Sequence, residues 1–315
     1  MNEKTRNQIN EMKKQTIGVE IEMNNITRQK AAKIAATFFG TGRVEYTANR
    51  NGYYTWSAWD AQGREWKFSR DVSISGPDDE KCEMVTPILT YADIESLQEL
   101  CRQLRRAGAK SDATRGCGVH IHIGAKGHTP QTLRNLANIM ASHESLLAEA
   151  LKLDRSRMNR YCRTVDPNFL REVNRKKPTS MARLADIWYT SQGEDYGRSQ
   201  HYNGSRYHML NLHATFTKGT VEFRLFQFDA PANGKQNGIH AGQLKSYIQL
   251  CLALSQMAKE VRTASPKPQQ NENPKYAMRT WLLRLGFIGE EFETARDILT
   301  RNLAGDAAFR HGRAA

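Results

Sequence analysis

Four short stretches of the chain alternate hydrophobic with polar residues, which is the pattern of a strand that buries one face. They are residues 16–23, 81–89, 116–124 and 220–226. Because alternate side chains of a strand point to the same side, each stretch predicts one apolar face and one functional face. The functional faces carry acids, histidines and an arginine: Glu20, Glu22, Glu83, His120, His122, Glu222 and Arg224.

Other stretches repeat their apolar residues every three to four positions, as amphipathic helices do. The predicted helices cover residues 93–107, 130–153, 238–262, 276–285 and 290–303, and a further helix begins after Asn25 or Thr27, carries Ile34 and Phe38 on its apolar stripe, and ends at Gly40. Residues 154–203 are basic and rich in tyrosine, and we expect an irregular lid over a substrate or nucleotide, with one helix near 180–189. Residues 207–213 and 219–226 predict two strands joined by a turn at Lys218 and Gly219.

Strands joined mostly by hairpins, with helices between groups of strands, favour an α+β fold built on an antiparallel sheet. A polar, proline-rich segment over residues 264–275 predicts a linker. We therefore expect a polar leader over residues 1–15, a main domain over 16–263, this linker, and a helical C-terminal appendix over 276–315.

Composition narrows the class of protein without choosing a reaction. The chain has 315 residues, 39% of them hydrophobic, which is typical of a globular protein with a sizeable core. No segment approaches the roughly 18 consecutive apolar residues of a membrane span, and the charged N-terminus lacks the apolar region of a secretory signal. These features predict a cytoplasmic protein that does not contact the membrane.

Five widely spaced cysteines without a C-x-x-C pair predict reduced thiols, and they argue against both a disulfide framework and a cysteine zinc site. Cys117 lies beside the histidine strand and could be a nucleophile. No neighbour in sequence would lower the pKa of its thiol, so we interpret it as a packed side chain.

The net charge of +13 predicts attraction to polyanions, which include nucleic acid, nucleotide phosphates and acidic substrates. It supports an alternative function, a basic nucleic-acid-binding protein or a metal-dependent nuclease. The aromatic segments around Trp56 and Trp66 would then stack against bases. No basic-aromatic readout motif accompanies them, so nucleic-acid binding is possible but not favoured.

The charged groups of the four predicted strands would line one cavity if those strands were neighbours in a sheet. Carboxylates and imidazole without thiolates suit a hard or borderline divalent cation, Mg²⁺ or Mn²⁺. A cation also explains why carboxylates that repel one another are gathered. Arg224 among them would bind a phosphate or a carboxylate. Each stretch alone could be a solvated strand face, but together they point to phosphoryl chemistry.

Four blocks of sequence occur in a fixed order. They are residues 18–22, residues 71–74 followed by 83–89, residues 117–124, and residues 220–226. Together they resemble the amidoligase family, which is related to glutamine synthetase and glutamate-cysteine ligase, the carboxylate–amine ligases. The similarity covers about residues 16 to 260. One difference lies at Asp71-Val72-Ser73, where the family usually has Asp-Gly-Ser.

The resemblance implies a glutamine-synthetase-like core, in which a curved antiparallel sheet with helices packed on one face holds ATP and two or more Mg²⁺ ions. By motif, the implied metal ligands are Glu20, Glu22, Glu83, His120 and Glu222. Arg224 would contact the transferred phosphate, and Glu222 or Glu83 would accept a proton from the amine. Nucleotide or substrate would contact His122, Arg206 and Asn211.

The implied reaction joins a carboxylate substrate to an amine donor through an acyl phosphate, and its product is an amide or isopeptide. Whether the acid is a small molecule or a peptide stays open, as does the oligomeric state. A non-catalytic relative of the family is a third possibility, which the retained acids and Arg224 disfavour.

Overall fold

The computed structural model describes residues 1–47, 52–230, 238–268 and 272–309. Contacts between Cα atoms divide the chain into two units. The strand-rich unit comprises Thr16–Ile121 and Phe226–Lys245, and the helix-rich unit comprises Met1–Gln15, His122–Leu225 and Ser246–Ala315. The division falls inside one strand, between Ile121 and His122.

The strand-rich unit is built on antiparallel strands. They are β1 (Ile17–Met23), β2 (Val44–Thr47), β3 (Thr55–Trp59), β4 (Glu65–Ser69), β5 (Cys82–Val85) and the first half of β6 (Val119–Gly124). Their order is β2-β3-β4-β5-β1-β6. The pairs from β2 through to β1 are antiparallel. The alternation predicted over residues 16–23, 81–89 and 116–124 therefore produced the strands β1, β5 and β6, and a hairpin joins β3 to β4.

Two helices of this unit form where the spacing of apolar residues predicts them; the second buries the predicted face, and the first buries alanines in place of Ile34 and Phe38. In α2 (Arg28–Phe38) the buried residues are Ala31, Ala32, Ala35 and Ala36. In α3 (Ile94–Arg106) they are Ile94, Leu97, Gln98, Leu100, Cys101 and Leu104. Thr27 caps α2 by accepting from the Lys30 N–H, and Thr90 forms a capping box with Asp93 just before α3. Helix α2 packs on β3 and β4.

The helix-rich unit has the strand order β6-β8-β7, from the second half of β6, β7 (Leu210–Asn211) and β8 (Thr220–Phe226). Its helices are α1 (Glu3–Lys13), α4 (Pro130–Ala150), α5 (Arg155–Arg160), α6 (Pro167–Lys176), α7 (Met181–Ser191), α8 (His213–Thr217), most of α9 (Ala241–Glu260), α10 (Pro274–Arg284) and α11 (Glu293–Thr300). Strands β7 and β8 are antiparallel, with Asn211 opposite Glu222.

The structure differs from the sequence prediction in three places. The polar leader forms α1, which buries Ile9 and Met12. The segment expected to be irregular contains three helices rather than one, and all three begin at a side-chain cap: Asp154, Asp166 and Ser180. The strand expected over residues 207–213 shortens to two residues because α8 begins at His213.

A mixture of helices and antiparallel strands confirms the α+β class. A curved sheet of the glutamine-synthetase kind stays a prediction, as do the proposed domain boundaries. The predicted linker includes residues 269–271, and the predicted appendix includes residues 310–315, which lie outside the described residues. In the described part of the chain, no helix combines the length and apolar character needed to cross a membrane.

Glu144 is a buried acid of α4 in the helix-rich unit. Both of its carboxylate oxygens accept from the Val165 N–H, at 2.9 and 3.1 Å. Burial raises the pKa of Glu144 to about 7, although the Val165 N–H lowers it in part. Glu144 therefore holds its proton in the folded protein at pH values where the unfolded chain releases it.

Substituting Glu144→Gln is expected to stabilise the protein near pH 8 and to change its stability little near pH 5. The unfolded carboxyl loses its proton near pH 4.5 and the folded one near pH 7. Between these values the unfolded state binds fewer protons, so wild-type stability falls as pH rises. The full shift corresponds to about 3 kcal/mol. Urea unfolding at both pH values measures it, and an equal difference at both would contradict this assignment.

Candidate functional site

Two carboxylates oppose each other on neighbouring strands of the strand-rich unit. The antiparallel register of β1 and β5 places Glu22 opposite Glu83. Glu20 precedes Glu22 by two residues and so lies on the same face. Directly opposed like charges destabilise a strand pair. Three acids on one face therefore need a positive partner.

Glu20, Glu83 and His120 form the first of two ligand groups. One atom of each residue lies within 4.8 Å of the others. His120 Nδ1 is 3.1 Å from Glu20 Oε2, and its Nε2 is 3.7 Å from Glu22 Oε1. The histidine is buried, with 5% of its surface exposed. The imidazole is therefore held among acids rather than in solvent.

Glu22, Asp71 and Glu83 form the second group, so Glu83 belongs to both. The Gly118 N–H donates to Glu22 Oε2 at 2.6 Å. The N–H and the hydroxyl of Ser73 both donate to Asp71 Oδ1, at 2.7 and 2.6 Å. These bonds fix the orientation of two of the three carboxylates.

Asp71 belongs to the second group, although the sequence predicted no role for it. The signal in the sequence was the Asp-Val-Ser block. A serine two residues after an aspartate is the usual partner of that aspartate in an Asx turn, and Ser73 takes this part here. Val72 in this turn is 68% exposed and has no left-handed φ. The turn therefore forms with valine in the place where the family usually has glycine.

The donor sets of both groups fit a hard or borderline divalent cation. Carboxylate oxygens are the ligands that Mg²⁺ prefers, and Mn²⁺ also accepts imidazole. Among the described residues, neither group includes a cysteine. The residues thus fit the cation that the sequence predicted.

Glu222 lies in the helix-rich unit and is held by two buried donors. Arg224 Nη1 donates to its Oε1 at 2.6 Å, and Asn211 Nδ2 donates to its Oε2 at 2.7 Å. His122 Nε2 is 3.8 Å from Glu222 Oε1, and His122 Nδ1 is 2.9 Å from Thr220 Oγ1. The structure therefore brings four of the predicted site residues together here.

Arg206 lies beside this group and lines a small pocket. The lining residues are His201, Arg206, Asn211, His213, Ala214, Thr217, Lys218 and Glu222. The Arg206 guanidinium packs on the rings of Tyr202 and Tyr207, with its Cζ 5.4 and 5.7 Å from the ring centroids. Burial, and then the positive charge of Arg206, lower the pKa of His213.

Base stacking by Trp66 and nucleophilic attack by Cys117 both need an exposed side chain, and both residues are buried. Trp66 is 1% exposed and packs against Phe39, so it is not available to stack on a base. Cys117 is fully buried, which agrees with its interpretation as a packed side chain. All five cysteines are unbridged, as predicted.

A family model matches most of the chain. Residues 13–255 match the family described as "Putative amidoligase enzyme". The chain belongs to the amidoligase family. The resemblance found in the four blocks is thereby confirmed at the level of the family. The relation of this amidoligase-family chain to glutamine synthetase stays a prediction.

Two further comparisons add little to the family assignment. No curated protein matches this amidoligase-family chain. Among solved structures, it is similar to the crystal structure of a bifunctional glutathione synthetase from Pasteurella multocida, at 12% identity and a TM-score of 0.45. The similarity covers 96% of this chain and 49% of that one, so the chain spans about half the length of the enzyme.

The structure thus divides the predicted metal ligands between two groups in the strand-rich unit and one residue, Glu222, in the helix-rich unit. The structure gathers Glu20, Glu83 and His120, and it gathers Glu22 and Glu83 with Asp71. Glu222 lies in the helix-rich unit beside Arg224. Its role as a fifth metal ligand stays a prediction.

Proposed function

We propose that this protein is an ATP-dependent carboxylate–amine ligase that works through an acyl phosphate. The observation that carries the proposal is the opposed pair Glu22 and Glu83 with Glu20, Asp71 and His120 around it, in a chain of the amidoligase family. Such a gathering of acids is unfavourable without a cation. Mg²⁺ accompanies the ATP of phosphoryl-transfer enzymes.

Glu20, Glu83 and His120 would hold one divalent cation, and Glu22, Asp71 and Glu83 would hold another. When bound, such a cation offsets the negative charge of phosphate oxygens. Gly118 and Ser73 keep two of the carboxylates oriented before it arrives. The role of the chain at this stage is to position these oxygens.

In the first step, an oxygen of the substrate carboxylate attacks the γ-phosphorus of ATP. A new oxygen–phosphorus bond forms, the bond to the β-phosphate oxygen breaks, and ADP leaves with that electron pair. Arg224 would donate hydrogen bonds to the transferred phosphoryl group as negative charge shifts across it. The buried Glu222 holds this guanidinium by its Nη1.

In the second step, the amine attacks the acyl carbon and the carbon–oxygen bond to phosphate breaks. Inorganic phosphate leaves with the electron pair, and the amine nitrogen loses one proton. Glu222 or Glu83 would accept this proton as general base. His122 would contact the nucleotide or substrate, since its Nε2 lies near Glu222 Oε1.

The test is to incubate the full-length protein with ATP, Mg²⁺ and panels of carboxylic acids, with hydroxylamine as a general amine. We expect ADP release that requires both Mg²⁺ and an acid, together with formation of a hydroxamate from the trapped acyl phosphate. Salt-dependent retention of DNA or RNA is measured beside it. Nucleic-acid retention without acid-dependent ADP release would favour the nucleic-acid-binding alternative.

A further inference from the structure

Lys67 is the one lysine or arginine in the strands β1 to β6, all of which lie within the described ranges. The whole chain contains 46 such residues, so their near absence from these strands is a marked bias. Lysine is depleted in strands, and Lys67 nevertheless occupies the centre of the five-residue strand β4. Its position relative to the acids of the neighbouring strands is therefore informative.

Lys67 lies on the same face of the sheet as the acids of the two ligand groups. Its neighbour Phe68 is buried and stands opposite the buried Met84 of β5, so these two side chains share the core face. Ser69 stands opposite Glu83, and Lys67 precedes Ser69 by two residues. Lys67 and Glu83 are thus diagonal neighbours on the other face, at a separation that a long side chain can span.

The ion pair of Lys67 contributes little to the fold. Its Nζ lies 3.5 Å from Glu65 Oε2, and the two side chains are 50% and 34% exposed. Exposed pairs of this kind are screened by water and stabilise a protein weakly. Ser57 donates to the other carboxylate oxygen of Glu65, at 2.7 Å. Glu65 therefore keeps a donor when Lys67 moves away, and the ammonium can leave it at small cost.

Charge balance gives Lys67 a role at the ligand groups. The four carboxylates of these groups, Glu20, Glu22, Asp71 and Glu83, would offset the charge of two divalent cations. A bound triphosphate then adds several negative charges. Because like charges repel where water is excluded, a further positive charge on this face would favour binding. Lys67 is the cation that the strands of this unit provide.

We infer that Lys67 binds a phosphate oxygen of the nucleoside triphosphate held at the two ligand groups. In the free protein its ammonium rests beside Glu65. With the nucleotide bound, the flexible side chain turns from Glu65 to the phosphates. The inference rests on the proposed function, because it takes ATP as the ligand, and it adds the residue that recognises the phosphate chain.

Nucleotide binding without turnover tests this contact. The full-length protein is titrated in a calorimeter with AMP and with the β,γ-imido analogue of ATP, in the presence of Mg²⁺ and without any acid substrate. We expect Lys67→Met to weaken the triphosphate about tenfold, because one charge-assisted hydrogen bond is lost. AMP should be affected little, since it lacks the phosphates that cations bind. Lys67→Arg should keep most of the affinity, because it keeps the charge.

Glu65→Gln is expected to act in the opposite direction. The amide keeps an oxygen that can accept from Ser57, but it removes the charge that attracts Lys67. The triphosphate should therefore bind about twofold more tightly to this variant. The control is Lys33→Met, which removes an exposed lysine of α2 and should bind both nucleotides like wild type. A loss of affinity shared by Lys67→Met and this control would overturn the inference.

Two further outcomes would also overturn it. One is equal affinity of wild type and Lys67→Met for the triphosphate. The other is unchanged nucleotide binding with a raised KM for the acid, because Lys67 would then recognise the acid substrate instead.

The results separate this inference from the proposed function. If Lys67→Met weakens the triphosphate but no acid yields ADP, the phosphate contact stands and the ligase proposal fails. If acid-dependent ADP release occurs while Lys67→Met binds the triphosphate like wild type, the assignment of Lys67 alone fails.

Discussion

Substituting Glu20→Gln should lower Mg²⁺-dependent ATP turnover about 10³-fold and leave the fold intact. The amide keeps the shape of the carboxylate but removes its charge from the group with Glu83 and His120. A cation at such a site contributes several kcal/mol to phosphoryl transfer, which sets the size of the loss. ADP release as a function of Mg²⁺ concentration measures it. Since affinity for the cation falls, higher Mg²⁺ should recover part of the rate.

Thermal unfolding supplies an independent measurement of the same site. Without divalent cations, Glu20→Gln should unfold at a higher temperature than wild type, because one of three neighbouring negative charges is gone. Added Mg²⁺ should stabilise wild type more than the variant. The matched control is Glu45→Gln on β2, whose exposed carboxylate pairs with Arg43. Full turnover in Glu20→Gln, or equal stabilisation by Mg²⁺, would contradict the metal assignment.

Substituting Arg224→Met should abolish turnover and lower the free energy of unfolding by about 3–5 kcal/mol. The guanidinium and Glu222 are both buried, and their atoms are 2.6 Å apart. Removing the guanidinium takes its positive charge away from the buried Glu222 carboxylate, which keeps the hydrogen bond from Asn211. Urea unfolding measures stability, and ADP release measures turnover.

The double variant Arg224→Met with Glu222→Gln separates the two effects. Neutralising the stranded carboxylate should restore most of the stability, whereas turnover should stay lost. The control is Arg175→Met, which removes an exposed ion pair with Glu172 and should change stability little. If the double variant regains turnover, Arg224 has no part in the reaction.

The spacing of apolar residues predicted the strands and helices that bury one face. The strand β1 and the helix α3 followed from periodicity, because each presents one apolar face to the core. The histidine strand β6 was also placed correctly, and Val119, Ile121 and Ile123 on it are fully buried. Strands β1 and β6 carry Glu20, Glu22, His120 and His122, four of the nine predicted site residues, which is why these residue types could be found from sequence.

Elements that depend on a few buried side chains were missed. Helix α1 is polar over most of its length, and its buried residues are Gln8, Ile9 and Met12. Within residues 154–203 the helices α5 and α6 begin at the single capping residues Asp154 and Asp166, in a segment whose high charge is typical of a solvated loop. Short helices of this kind gain stability from packing rather than from propensity, so the sequence pattern alone is weak.

The grouping of ligands could not be predicted, because it depends on pairing between distant parts of the chain. Glu22 and Glu83 are 61 residues apart in the sequence. The antiparallel register of β1 and β5 places them opposite each other. Asp71 joins them through a turn outside any strand. Strand register is set by the whole buried face and by the turns, not by the acids themselves.

Membership of Glu83 in both ligand groups has a thermodynamic consequence. Two cations drawn to these groups would compete for, or share, the oxygens of a single carboxylate. Their affinities would then be linked, and by reciprocity each would alter the binding of the other by the same factor. Titration with a divalent cation would deviate from independent sites, and Glu83→Gln would remove the deviation along with part of both affinities.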